Sequence, residues 1–205
     1  MGTVYFISDT HFYHQRIIDY CHRPYLDVDE MNNDIIKKWN SVIKKNDIVW
    51  HLGDFAFFKK KDSYKITKIM SKLNGTINLL LGNHDKQVST DLSFWQSLGF
   101  NKVWDKPFLF MDRYILSHEP IITQNKIDLS YQHILKNIHG HTHNSNADYY
   151  TMKSEDQMKW KSDHPEFITI PDITHYSFNV SIEVIDYKPI SFTDIVEKMN
   201  QKRKG

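Results

Sequence analysis

Short apolar runs alternate along the chain with segments of helical periodicity. The apolar runs are rich in β-branched and aromatic residues and predict β-strands at Val4–Ile7, Ile48–Leu52, Ile77–Leu81, Tyr114–Leu116 and Phe178–Asp186. Between them, apolar residues recur every three or four positions, as on one face of a helix. The longer stripe consists of Met31, Ile35, Ile36, Trp39, Val42 and Ile43, and the shorter one of Tyr64, Ile66, Ile69, Met70 and Leu73. This alternation predicts an α/β domain in which helices cover the faces of a sheet.

The second half of the chain departs from the regular alternation. Helices are predicted over Asp91–Leu98 and Ile195–Arg203, and the alternating run Phe178–Asp186 predicts an antiparallel strand, so that the sheet would be mixed. Residues 144–176 are polar and irregular and contain Pro165 and Pro171. Because so long a connection without clear elements is unusual in a compact domain, we expect one domain over residues 1–205 with an insertion or lid at 144–176. A passive surface excursion or an oligomer contact fits this segment as well.

Composition and charge exclude several classes of protein. The chain of 205 residues fits one domain, and 26 Lys+Arg against 25 Asp+Glu leave a net charge of +1. A protein that mainly grips nucleic acid would show a larger basic excess, so we expect no strong nucleic-acid footprint. The one cysteine, Cys21, excludes an intramolecular disulfide framework. Since the chain has neither an apolar run that could span a bilayer nor a signal-peptide pattern, we expect a cytoplasmic protein that does not enter membranes.

Residues of the types that bind metal ions follow almost every predicted strand. The chain contains 12 histidines, and many of them stand beside Asp, Asn or Gly. After the successive strands come Asp9 and His11, then Asp54, then Asn83, His84 and Asp85, then His118, and finally His139, His141 and His143. In open α/β sheets, ligands bind in the crevice outside the carboxyl ends of the strands, so we expect these side chains to meet at one rim.

The types of these ligands indicate more than one metal ion. Two Asp, one Asn and four or five His, with no thiolate, exceed the four ligands that a single zinc ion takes. Imidazole and carboxylate together suit Mn, Fe, Zn, Co or Ni without choosing among them. A carboxylate that bridges two cations can hold them about 3.5–4 Å apart with a hydroxide between them, ready for in-line displacement at phosphorus. The ligand set therefore predicts metal-assisted hydrolysis of a phosphoester.

The same residues resemble the motifs of the calcineurin-like metallophosphoesterase family. The matching blocks are Asp9-x-His11, Gly53-Asp54, Gly82-Asn83-His84-Asp85, His118, and Gly140 flanked by His139 and His141. Their order and types match over residues 3–143, and the segments Ser8–Phe12 and Arg23-Pro24-Tyr25 resemble small bacterial and phage-encoded members in particular. The resemblance implies a four-layer αββα sandwich of two mixed sheets flanked by helices.

The resemblance also implies a role for each motif residue. The first metal ion would be bound by Asp9, His11, Asp54 and His141, and the second by Asp54 as the bridge, Asn83, His118 and His139. His84 would contact the phosphate and protonate the leaving group, with Asp85 orienting its ring. Asn83, Arg23 and His14 are candidates for substrate contact. A structural salt bridge remains the alternative for Arg23, and a supporting role remains open for His14 and His143.

The expected function is that of a cytoplasmic dinuclear-metal phosphohydrolase. Attack of a metal-bridging hydroxide would cleave a phosphodiester of a small, nucleotide-type substrate, with manganese as the favoured ion. A phosphomonoesterase or a nuclease of the same fold is the alternative, although a nuclease would need a basic track that a net charge of +1 does not supply. The alternative from another class is a non-catalytic binding scaffold with this fold. The sequence leaves the oligomeric state open.

Overall fold

Two mixed β-sheets form the framework of the protein. The structure is a computed structural model that describes residues 2–120, 136–144 and 177–202. The strands are β1 (Val4–Ile7), β2 (Ile48–His51), β3 (Thr76–Leu80), β4 (Val103–Trp104), β5 (Phe108–Phe110), β6 (Tyr114–Leu116), β7 (Lys136–His139), β8 (Ser177–Asn179) and β9 (Ile190–Ser191). The helices are α1 (Gln15–Tyr20), α2 (Val28–Val42), α3 (Tyr64–Met70), α4 (Asn83–Val88), α5 (Leu92–Ser97) and α6 (Phe192–Lys202).

Both sheets combine a parallel centre with an antiparallel edge. The first has the strand order β4-β3-β2-β1-β9, in which β1 to β4 pair in parallel and β9 pairs antiparallel to β1. The second has the order β5-β6-β7-β8, with β5 antiparallel to β6 and the other pairs parallel. The parallel strands end at the same edge of each sheet, so the loops that follow them are neighbours.

Aromatic side chains pack the two sheets against each other. The ring of Phe6 on β1 lies 5.7 Å from that of Phe110 on β5, and Trp50 on β2 lies 5.1 Å from Phe108. The sheets are also joined by main-chain hydrogen bonds where β1 ends, since Ser8 donates to the carbonyl of Val180 at 2.9 Å. These contacts place the carboxyl ends of β1 and of β7 and β8 side by side.

The amphipathic pattern of α2 explains why it forms and how it packs. Asp27 caps its first turn by accepting hydrogen bonds from the main-chain N–H groups of Asp29 and Glu30. Its apolar stripe is buried, and the Trp39 indole donates to the carbonyl of Asn74 at 2.9 Å. The helix predicted from this stripe is confirmed, as are those at α3, α5 and α6, with ends that shift by a few residues.

The predicted fold class is confirmed, but one strand prediction is wrong. The run Phe178–Asp186 is not a long antiparallel strand, because β8 ends at Asn179 and pairs in parallel with β7. After Ser181 the chain turns, and Asp186 and Tyr187 adopt left-handed conformations with φ of 58°. Apolar residues alternate at Phe178, Val180, Ile182 and Val184. The turns bury Ile182 and Ile185 and leave Val184 exposed, so this alternation does not mark a strand.

The predicted insertion or lid lies almost wholly outside the described residues, from 145 to 176, so that prediction remains untested. Within the described ranges, no helix is both long enough and apolar enough to cross a membrane.

Candidate metal centre

The loops at the carboxyl ends of the strands are tied together before any side chain is considered. Asp9 donates its main-chain N–H to the carbonyl of Gly53 at 2.9 Å, and His11 donates to that of Asp54 at 3.0 Å. These bonds continue the parallel pairing of β1 and β2 beyond the ends of the strands. The side chains of Asp9, His11 and Asp54 are therefore carried to one place by the sheet itself.

A first cluster of metal-binding atoms surrounds Asp9. Its Oδ1 atom lies 4.0 Å from Nε2 of His11 and 3.8 Å from Nε2 of His143, and His11 Nε2 lies 3.6 Å from Oδ2 of Asp54. Among the described residues, Asp9 Oδ1 and His11 Nε2 are buried without a hydrogen-bond partner. Buried polar atoms are nearly always partnered, so converging atoms that lack partners indicate a place for a cation.

A second cluster lies on the other side of Asp54. Nε2 of His118 lies 3.5 Å from Asp54 Oδ2, 3.0 Å from Oδ1 of Asn83 and 3.1 Å from Nδ1 of His141. The other ring nitrogen of His118 lies 2.8 Å from the carbonyl of Leu52. A carbonyl that accepts from one imidazole nitrogen leaves the other free to bind a metal, as metal-binding histidines usually require.

Asp54 belongs to both clusters through one oxygen atom, Oδ2. Burial would raise the pKa of this carboxyl, but the neighbouring histidines, His118 first and then His11, hold it well below its usual value. Burial likewise acts to lower the pKa of His118, yet the Asp54 carboxylate raises it to about 9. The buried carboxylate thus draws positive charge to itself, which bound cations would supply in place of protons.

The backbone at these positions is strained, which is common at functional sites. Asp9, His11, Asp54, His141 and His143 all have left-handed conformations, with φ of 59°, 48°, 54°, 68° and 48°. Each such residue costs about 1–3 kcal/mol and persists only where its surroundings enforce it. In each of the three loops, these left-handed conformations direct the named side chains towards the metal-binding clusters.

Two glycines allow the loops to approach this closely. A Cβ atom on Gly82 would overlap the carboxylate of Asp54, and one on Gly140 would overlap the side chains of Ser8 and Asp9. Neither position has room for any other residue, because the overlaps also involve the main-chain nitrogen of Asp54 and the side chain of Ser8.

Two clusters of this composition fit two divalent transition-metal ions. Donors at about 2.0–2.2 Å from a tetrahedral ion lie about 3.3–3.6 Å from each other. The donor separations in the two clusters, from 3.0 to 4.0 Å, bracket that spacing. Imidazole, carboxylate and amide donors without thiolates suit Mn, Fe, Co, Ni or Zn, so the donor chemistry fits the expected pair of ions without naming the element.

The structure changes which histidines of the last motif join the clusters. His143 lies with Asp9 and His11, and His141 lies with Asp54 and His118, whereas no such group of His, Cys, Asp or Glu in the described residues includes His139. The resemblance implies His141 for the first ion and His139 for the second, whereas the structure brings His143 to the first cluster and His141 to the second. His139 ends β7 with its Nδ1 atom 2.9 Å from the carbonyl of Gly140, fully buried beneath the turn.

Asp85 serves a different purpose from the one expected. Its two carboxylate oxygens accept main-chain N–H groups of Asp54 at 2.7 Å, Gly82 at 3.0 Å and Phe55 at 3.1 Å. Among the described residues, Nδ1 of His84 has no hydrogen-bond partner, so Asp85 does not orient that ring. Burial, with the nearby charge of Asp54, raises the pKa of Asp85 to about 7. Asp85 fixes the loops after β2 and β3 to each other.

Arg23 does not face the space where a phosphate would bind. Its guanidinium is fully buried and bonded to Glu183 and to main-chain carbonyls of the loop after β1. The alternative of a structural salt bridge is the one that the geometry supports. Glu183 was missed because it stands in an alternating run that predicted a strand.

His14 and His51 are neutral histidines that support their neighbours. Burial lowers the pKa of His14 to about 4 and that of His51 to about 3. His14 Nδ1 lies 3.2 Å from that of His11, while His51 lies 3.0 Å from the Thr10 hydroxyl inside the sheet. Contact of His14 with substrate stays a prediction, and its nearest exposed neighbour is Phe57, on which its ring stacks.

The corrected ligand pairing is testable by metal analysis. We expect His143→Ala to bind about one metal ion fewer per chain than the wild-type protein, because the first cluster loses an imidazole. The matched variant His139→Asn, measured on folded protein under the same dialysis, should keep the wild-type metal content. Loss of metal from His139→Asn with full content in His143→Ala would restore the original pairing.

The chain is similar in sequence to two proteins and in structure to a third. An uncharacterized protein, MJ1445, from Methanocaldococcus jannaschii is 35% identical over 204 residues, which span 100% of this chain and 94% of that protein. The gene 66 protein of Mycobacterium phage L5 is 35% identical over 85 residues, or 42% of this chain and 41% of its own length. A crystal structure of AQ665, a protein of unknown function from Aquifex aeolicus, superposes with a TM-score of 0.59 at 26% identity, covering 96% of this chain and 99% of that one.

A family model gives the assignment that these uncharacterized relatives do not. The model described as calcineurin-like phosphoesterase matches residues 2–190, a range that contains both clusters and every loop that forms them. With two mixed sheets flanked by helices and the metal-binding side chains at the strand ends, the chain belongs to the calcineurin-like phosphoesterase family.

Proposed function

We propose that this phosphoesterase is a dinuclear-metal phosphodiesterase that acts on a small, nucleotide-type substrate. Family membership supports metal-dependent hydrolysis of a phosphoester. The observation that supports two ions is the position of Asp54 Oδ2, which lies 3.6 Å from His11 Nε2 in one cluster and 3.5 Å from His118 Nε2 in the other. A carboxylate shared in this way is the arrangement in which two ions act on one phosphate.

The chain's own residues would bind the ions and place the reacting groups. Asp9, His11 and His143 would hold one ion, Asn83, His118 and His141 the other, and Asp54 both. When bound, the ions supply a nucleophile by lowering the pKa of water to about 7, and they neutralise charge on the phosphate. The two donor clusters share Asp54 Oδ2, so these side chains would set the distance between the two ions and the position of a phosphate bound to both.

His84 is the side chain best placed to act on the leaving group. Its main-chain N–H donates to Asp54 Oδ1 at 2.9 Å, which anchors the residue, and its Nε2 lies 3.9 Å from Asp54 Oδ2. The ring is partly exposed, with 31% of the side chain accessible, so a substrate can reach it. A protonated Nε2 at this point would transfer its proton to the departing oxygen.

An aromatic wall beside His84 supports a substrate with a planar group. The wall consists of Phe57, His14 and Tyr20, whose exposed ring lies 6.4 Å from that of His14. Phe57 is half exposed and stacks on His14, with centroids 4.3 Å apart and planes at 15°. Its ring lies 6.2 Å from that of His84 and so borders the reaction site. A nucleobase stacked on such a ring gains about 1–3 kcal/mol, which would favour a nucleotide over a bare phosphoester.

The experiment that tests the proposed function combines metal removal with a substrate panel. We expect chelation to abolish hydrolysis, and Mn²⁺ to restore it far better than Mg²⁺, which disfavours imidazole ligands. With Mn²⁺, kcat/KM should be higher for nucleotide diesters and cyclic nucleotides than for the matching monoesters. Full activity of the chelated protein would rule out metal dependence. A preference for monoesters would make it a phosphomonoesterase, cleavage of DNA or RNA chains in preference to small diesters would make it a nuclease, and metal binding without any hydrolysis would indicate the scaffold.

The role of His84 can be tested by changing the leaving group. We expect His84→Ala to lower kcat/KM by about 10²–10⁴-fold for a nucleotide diester, because a ribose alkoxide needs a proton as it leaves. Nitrophenyl esters, whose leaving group departs without a proton, should be affected far less, with metal content unchanged. An equal loss on both substrates would assign His84 to phosphate binding, and loss of metal would make it a ligand.

A further inference from the structure

The guanidinium of Arg23 uses all of its hydrogen-bond donors inside the protein. Nη1 donates to the carbonyl of Thr10 at 3.0 Å and to Sδ of Met31 at 3.4 Å, and Nη2 donates to the carbonyl of Asp9 at 2.8 Å. Nε and Nη2 also donate to one oxygen of Glu183, at 2.9 and 2.6 Å. An arginine has five N–H donors, and each has a partner here.

The carbonyls that Arg23 binds belong to the strained turn of the metal centre. Asp9 has a left-handed conformation, and its side chain is part of the first donor cluster. A charged donor that binds two successive carbonyls stabilises the turn in the one conformation that presents Asp9 Oδ1 to the site. Arg23 acts on this turn from outside the cluster, since its side chain is 0% exposed and turned away from solvent.

Glu183 extends the same contact to the opposite side of the cluster. Its Oε1 atom, which accepts from Arg23, also lies 3.0 Å from Nδ1 of His143. A carboxylate accepts and does not donate, so Nδ1 of His143 is the donor in this contact with Glu183. Nε2 is then the nitrogen that faces Asp9 Oδ1, at 3.8 Å. One buried pair thereby orients both an oxygen ligand and a nitrogen ligand of the first cluster.

We propose that Arg23 and Glu183 are positioning residues for the first metal ion: a buried ion pair that holds the Asp9 turn and the His143 ring in the metal-binding geometry. The pair is costly as a stabilising device alone, because two desolvated charges seldom contribute more than apolar residues of the same size. What the pair contributes is the orientation of Asp9 and His143. Arginine is required because its planar fork reaches two carbonyls and a carboxylate at once, whereas a lysine ammonium cannot.

Metal affinity measured in the absence of substrate tests this proposal. The variants are Arg23→Lys and Glu183→Gln, and the matched controls are Arg16→Lys on α1 and Glu197→Gln on α6, both of which are exposed. Each metal-free protein is titrated with Mn²⁺ by calorimetry and with Co²⁺ by absorption spectroscopy, and its unfolding is followed by circular dichroism. We expect one of the two ions to bind about 10–100-fold more weakly in Arg23→Lys, and about 10-fold more weakly in Glu183→Gln, with the controls unchanged.

The kinetics separate positioning from contact with substrate. With excess Mn²⁺, kcat of Arg23→Lys should recover towards the wild-type value while KM stays unchanged. Wild-type affinity for both ions in both variants would overturn the proposal, even if their melting temperatures fall. A raised KM with unchanged metal affinity would also overturn it and make Arg23 a phosphate contact. If Arg23→Lys does not fold, the metal affinity of Glu183→Gln tests the proposal. Glutamine has the same shape as glutamate and keeps one accepting oxygen, so this variant should fold. Metal affinity does not depend on which phosphoester is cleaved, so failure of the proposed activity leaves this test intact.

Discussion

The carboxylate of Asp54 is the group on which the rest of the site depends. It is almost fully buried, and a buried anion is costly unless positive charge or hydrogen bonds compensate it. Its Oδ1 atom accepts a hydrogen bond from the main-chain N–H of His84 at 2.9 Å. Its Oδ2 atom lies 3.5 to 3.9 Å from the imidazole nitrogens of the neighbouring histidines. The same interaction with Asp54 raises the pKa of His118 to about 9. Two metal ions at the proposed sites would satisfy the same demand more completely, with the histidines around this carboxylate as their other ligands.

Two charged residues that suggest a role in catalysis or substrate binding in the sequence, Asp85 and Arg23, bind the backbone instead. Asp85 accepts three main-chain N–H groups from the loops after β2 and β3, and Arg23 donates to two carbonyls of the loop after β1. These loops lack regular structure of their own, so their main-chain groups need partners from elsewhere. Charged side chains give the strongest such bonds, and the strained turns that carry the ligands depend on them.

The sequence predicted the framework and most of the site for a simple physical reason. Parallel strands end at one edge, so a ligand type after each apolar run indicates a common centre, and Asp9, His11, Asp54 and His118 were found in this way. The resemblance named His139 and not His143 as a ligand, and the strand pattern could not decide between them, because His141 and His143 have left-handed conformations that end the alternation of β7. Glu183 gave no signal, since it occupies a polar position between Ile182 and Val184 in an alternation typical of a strand, although the segment forms a turn.

The most direct test of the account is the anomalous X-ray scattering of crystals grown from manganese-loaded protein. The account predicts two manganese peaks about 3.5–4 Å apart, both in contact with Asp54, one beside Asp9, His11 and His143 and the other beside Asn83, His118 and His141. A single peak, or a peak bound by His139, would contradict it.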